Sequence, residues 1–184
     1  MHRRLVACGV SLLTMAWSSS AFAHGFALTV SPLHLIAPIV EVTGEGRLTG
    51  RGGLALIGGV GSLKGEVNDA FGNTSTESFG VWEVGASGRY YLVGDFDHGM
   101  QLGGEILYVD VDVEGETVSG TGSGLAIGPF LGYKVSADFG FTFDSQLGFQ
   151  YLAGGAEAES GGQTAEEEAS EVIVLLNLNI GWAF

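Results

Sequence analysis

The chain has 184 residues, enough for one domain, and it is acidic, with 21 Asp and Glu against 7 Lys and Arg and a formal net charge of −14. So negative a chain lacks the cationic surface that phosphate backbones require, which excludes nucleic acid as a partner. Its 32 glycines and 3 prolines, with no Gly-X-Y period and beside 46% hydrophobic residues, exclude both collagen and a disordered chain and suit many strands joined by Gly-rich turns.

Residues 1–23 read as a cleaved export signal. Arg3 and Arg4 open it, an apolar run extends from Leu5 to Trp17, and Ala21-Phe22-Ala23 supplies a small-residue cleavage site before His24. The run is too short to span a bilayer. Cys8, the single cysteine, falls within it and too early for a lipoprotein box, so the mature chain, 24–184, is expected to lack disulfides, thiol nucleophiles and Cys-based metal sites. Loss of Arg3 and Arg4 leaves five basic residues against all 21 acidic ones, a net charge of −16.

Beyond residue 23 no apolar run reaches the length of about 18 residues that a membrane helix needs, and a period of two dominates. Gly25–Ser31 reads as a short first strand, and Pro32 and Pro38 bracket a Leu-rich link to the second. Further strands are expected near 38–48, 53–64, 78–93, 100–113, 121–135, 139–153 and 172–184. In the last, Val172, Val174, Leu176, Leu178, Ile180, Trp182 and Phe184 share one face, while Asn177, Asn179, Gly181 and Ala183 lie on the other. Thr49–Gly52, Gly94–Gly99 and Val135–Asp138 suit tight turns. Gly65–Glu77, Glu114–Gly120 and Gly154–Ser170 are longer, polar or acidic connections, with Glu157–Glu171 read as a mobile acidic loop. Short turns at one end and long loops at the other match a transmembrane barrel, and both ends of the mature chain must start and finish on the short-turn side. That parity predicts an all-β, eight-stranded, antiparallel up-and-down barrel.

Strand parity also sorts the charges. Glu41, Glu45, Arg47, Glu83, Arg89, Glu105, Lys134 and Asp144 fall on one face, joined by Gln101, Gln146, Gln150, Asn177 and Asn179. On a lipid face each Arg or Lys would cost about 2–4 kcal/mol near mid-bilayer, so this face is assigned to the lumen. An eight-stranded barrel is just wide enough for side chains to fill, and the network reads as a salt-bridged filling rather than an ion path or a paired-carboxylate site. Gly59, Gly61, Gly85, Gly103, Gly128, Gly132, Gly140 and Gly148 would make room for it. The fifth strand changes parity between Glu105 and Asp110, which means a bulge near 107–109 or a strand that has risen out of the bilayer. Asp110, Asp112, Glu114 and Glu116 read as solvated strand ends, with a loose Ca²⁺ site as the alternative. Of the mature histidines, His34 is the one whose catalysis would require a serine such as Ser119 or Ser123. No nucleophile elbow, phosphate loop or zinc spacing is present, so no enzyme and no cofactor is expected.

The terminal Leu178-x-Ile180-x-Trp182-x-Phe184 resembles the insertion signal of bacterial outer-membrane barrels, and with the alternating 100–153 region the chain resembles small eight-stranded barrels of the OmpA, OmpX and OmpW kind. The resemblance implies a monomer in the outer membrane of a Gram-negative-type bacterium, surrounded by outer-membrane lipid. It also implies that the barrel insertion machinery recognises the last strand. A structural or surface-interaction role is the function expected first, a narrow channel for ions or small solutes second, and an outer-leaflet lipid-modifying enzyme third.

Overall fold

Strands with two unlike faces and unpaired edge amides can satisfy both by closing on themselves. The computed structural model describes residues 24–36, 38–68, 74–114, 119–160 and 163–184, and in it the chain closes in this way. The export signal expected at 1–23 lies outside the described residues. Eight strands follow one another around a closed antiparallel ring: β1 Phe26–Val30, β2 Ile39–Thr49, β3 Gly52–Asn68, β4 Thr74–Gly94, β5 His98–Glu114, β6 Ser119–Ser136, β7 Phe141–Ser160 and β8 Gln163–Ala183. The seam is β1 on β8, from Ala27 opposite Ala183 to Val30 opposite Ile180.

The tight turns lie at one end as expected. Where β6 passes into β7, Gly140 takes a φ of +104°, and a Cβ there would meet the Trp182 indole at 2.3 Å. The other end differs from expectation. The segments read as long loops are mostly hairpin: pairing continues to Asn68 opposite Thr74, Glu114 opposite Ser119 and Ser160 opposite Gln163. Segments such as Ala156-Glu157 carry no apolar stripe, yet the hydrogen-bonded ladder needs none once the strands are registered below. The supposed acidic loop therefore stands as the top of the β7–β8 hairpin, with Glu157 opposite Glu166.

Apolar side chains cover the outside. Along β7, Phe141 and Tyr151 mark the two ends of the exposed face. At about 3.3 Å per residue and a tilt of about 40°, they are separated by about 25 Å along the barrel axis, the height that a lipid-facing band would have. Aromatic contacts flank the band. Phe139 packs on Trp182 with centroids 5.7 Å apart at the turn end, and Trp82 packs on Tyr108 at 5.4 Å on the far side. There, Trp82 Nε1 donates to Asp110 Oδ1 at 3.0 Å. No register shift interrupts β4–β5 pairing between Trp82–Asp110 and Ser87–Glu105, so the parity change on β5 is not a bulge. The strand has risen past the Trp82–Tyr108 contact, and its outward Asp110 lies at the edge of the apolar band. Glu116, of the alternative Ca²⁺ group, lies outside the described residues.

β1 and β2 are much shorter than the rest. Val30 ends β1 and Ile39 begins β2, and a 3₁₀ turn at His34–Ile36 lies between them. It brings His34 inward and leaves Ile36 80% exposed on the outside.

Glycines set how closely the walls approach. A Cβ at Gly148 would lie 2.2 Å from the Pro129 carbonyl oxygen and 2.8 Å from Phe130 Cα, both main-chain atoms that cannot move alone. Overpacking costs about 1–3 kcal/mol where side chains can yield. Gly148→Val is therefore expected at or above the top of that range, read as loss of the fast-migrating unboiled band in detergent gels. A variant that keeps the band would show that β6 and β7 separate freely here.

Candidate functional site

Parity decides which side chains reach the lumen, and register decides which of them meet. The lumen fills in three described levels. At the turn end, Phe96 folds back from the β4–β5 turn and is fully buried with Tyr91, Ala27 and Ala183. The Lys134 ammonium lies 3.5 Å from the Phe96 ring centroid, and the Arg47 guanidinium lies 4.9 Å away. In the same turn, burial nudges the Asp95 carboxyl upward, but the Asp97 and His98 backbone N–H groups it accepts outweigh this and hold it below the usual range.

Above this plug lies an ionic network. Arg89 Nη1 donates to Glu45 Oε2 at 3.2 Å and to Asp144 Oδ2 at 2.6 Å. Lys134 Nζ donates to the same Glu45 oxygen at 2.8 Å, and Tyr91 Oη donates to Glu45 Oε1 at 2.8 Å. Asp144 also accepts from Gln101 and Gln146. Every group in this network is buried, so each charge needs the partners it has. Phe130 enters from β6, its ring centroid 5.9 Å from Arg89 Cζ, in space left by Gly103 and Gly148. Gly53 and Gly132 likewise make room for Glu45 and Gln101.

The third level holds Glu41, Glu83 and Glu105, all buried. Gln150 Nε2 donates to Glu105 Oε1 at 2.8 Å. His34 Nε2 lies 3.5 Å from Glu41 Oε2, and His34 Nδ1 lies 2.8 Å from Ser31 Oγ. Toward the hairpin end the lumen changes character. Val109, Val111 and Leu152, with Gly122, Gly124 and Gly154, line an open cavity of about 500 Å³.

Seven of the eight residues assigned to the lumen are buried there, and Arg47 is placed differently. Its guanidinium pairs with Asp97 Oδ2 at 2.8 Å, beside His24 at 2.8 Å from Oδ1, so it ties the β4–β5 turn to β2 at the barrel mouth instead of joining Glu45. Leu178, Ile180, Trp182 and Phe184 lie along the last strand with the latter three exposed on the outside. Sequence reasoning missed Phe96 and Phe130. The signal for Phe130 was its even position, shared with Lys134; Phe96, inside a turn, left none. For His34 the neighbouring serine is Ser31, which is 1% exposed, while Ser123 points outward from β6. Ser31 donates its proton to Asn177 Oδ1 at 3.1 Å, which is not the arrangement of a serine nucleophile with its base.

No family model matches the chain, and no curated protein matches it. A solved structure similar to it is the NMR solution structure of the Escherichia coli outer membrane protein W, with a TM-score of 0.51 at 9% identity, covering 90% of this chain and 100% of that one. The shared feature is the fold, an antiparallel ring of eight up-and-down strands.

Proposed function

We propose that the protein resides in a bacterial outer membrane as a plugged, non-conducting barrel with a structural or surface-interaction role and no catalytic activity. One contact carries the reading. β2 and β6 face each other across an eight-membered ring, and Glu45 on the one meets Lys134 on the other at 2.8 Å. A salt bridge spanning the diameter leaves no aqueous path at that level, and the Phe96–Tyr91 plug lies beneath it. The long hairpins then serve as the extracellular interaction surface, and the tight turns face the periplasm. Leu178, Ile180, Trp182 and Phe184 serve as the signal read by the barrel insertion machinery, and the outward apolar band accommodates lipid around a monomer.

A narrow cation path is the second reading, favoured by Glu41, Glu83 and Glu105 on one lumen level. Planar-bilayer recording separates the two. The wild-type barrel is expected to give no discrete conductance steps. Cation-selective steps from the wild type would sink the plugged reading.

A further inference from the structure

The third lumen level has an arrangement that side-chain filling does not require. Glu41 on β2, Gly59 on β3 and Glu83 on β4 pair directly in one row, so both carboxylates rise on the same face with nothing between them. A Cβ at Gly59 would stand 2.2 Å from Glu83 Oε1 and 2.7 Å from its Cγ, so the missing side chain is what lets Glu83 fold across β3 toward β2. His34 enters from the β1–β2 connection, and one donor atom from each of His34, Glu41 and Glu83 lies within 4.8 Å of the other two. The His34 Nε2 to Glu41 Oε2 separation of 3.5 Å is already close to the edge of a tetrahedral zinc shell, about 3.4 Å for bonds of about 2.1 Å.

Charge and hydrogen bonding point the same way. Glu41 is 3% exposed and Glu83 6%, and Oε1 of each is buried with no hydrogen-bond partner. Arg89 and Lys134 are occupied by Glu45 and Asp144, and among the described residues no Lys or Arg forms an ion pair with Glu41 or Glu83. Buried carboxylates persist when paired or bound to a metal. The imidazole is also set for ligation. Ser31 gives its single hydroxyl proton to Asn177, so His34 Nδ1 must donate to Ser31 Oγ, which leaves the Nε2 lone pair facing the two carboxylates. Val109, directly opposite Glu83, lines the open cavity above and gives an ion a route in.

We propose that His34, Glu41 and Glu83 bind a divalent transition-metal cation of the zinc class, with Ser31 and Asn177 orienting the imidazole. One nitrogen and two carboxylate oxygens suit Zn²⁺ better than Mg²⁺ or Ca²⁺, which take oxygen ligands and more of them. The site does not depend on whether the barrel conducts.

The test is calorimetric titration of ZnCl₂ into the detergent-folded, chelator-stripped barrel. One ion per wild-type barrel is expected, with affinity at least about tenfold weaker in His34→Gln, Glu41→Gln and Glu83→Gln, and about tenfold weaker in Ser31→Ala through loss of orientation. Each variant is first shown to be folded by its unboiled gel mobility. Absence of a stoichiometric site in the wild type, or folded variants that bind like the wild type, would overturn the proposal and assign any zinc to the acidic hairpins. Co²⁺ on the wild-type barrel gives a second reading if a variant does not fold. The intense visible bands of a four-coordinate ion support the site, and the faint spectrum of hydrated Co²⁺ overturns it.

Discussion

Arg89→Met is expected to destabilise the folded barrel by about 3–5 kcal/mol, the cost of leaving buried charge uncompensated when one partner of an ion pair is removed. Arg89 is 6% exposed and serves Glu45 and Asp144 together, and Met preserves much of its volume, so the loss is electrostatic rather than a cavity. Without the guanidinium, Glu45 keeps Lys134 and Tyr91, but among the described residues Asp144 keeps hydrogen bonds only from the neutral donors Gln101 and Gln146. Asp144 is therefore the residue that suffers, and this makes the prediction specific. Arg89→Met combined with Asp144→Asn leaves Glu45 paired one to one with Lys134 and should recover most of the stability lost. The measurement is the urea midpoint for loss of the fast-migrating band, for the single and double variants. A single variant within about 1 kcal/mol of wild type would mean that water reaches Asp144, and the closed lumen would have to be abandoned.

The lumen was legible in the sequence to the extent that it follows strand parity. A period of two assigns Glu41, Glu45, Glu83, Arg89, Glu105 and Asp144 to one face with no knowledge of register, because lipid tolerates none of them outside. Which charges meet was not legible, since Glu45 and Lys134 are brought together by ring closure between strands 89 positions apart. Arg47 shows the same limit. Its parity is inward, but it stands two residues beyond Glu45 toward the end of β2, where Asp97 takes it. Phe130 occupies the lumen only because Gly103 and Gly148 lie beside it, and a single strand cannot report what its neighbours lack. The hairpin tips misled for another reason. Alternating Ala and Glu look like loop when apolar residues are the signal, although the ladder beneath them runs on to Ser160. His34 was visible as a histidine between two prolines, but its meeting with Glu41 and Glu83 needed the fold.

Leu147→Arg is the substitution that most directly separates a membrane barrel from a soluble one of the same topology. Leu131, Leu147 and Leu176 pair side by side across β6, β7 and β8, with 53%, 60% and 63% of their surface exposed. Leu147 lies between Phe141 and Tyr151, near the middle of the outward apolar band. In lipid, an arginine at that depth costs about 2–4 kcal/mol. In water, the same change breaks up an exposed apolar patch and falls within about 0.5 kcal/mol of neutral, because a surface site away from special features tolerates substitution. The two environments therefore differ in the size of the penalty, about 2–4 kcal/mol against about 0.5 kcal/mol or less. Refolding into phospholipid vesicles across a urea series gives the number. Asp110 supplies the internal control, for it already carries charge on the outward face but above the Trp82–Tyr108 girdle, where Asp110→Arg should cost no more than about 1 kcal/mol. A large penalty at 147 beside a small one at 110 locates the bilayer on the barrel. Equal, small effects at both would mean that the apolar band meets something other than lipid.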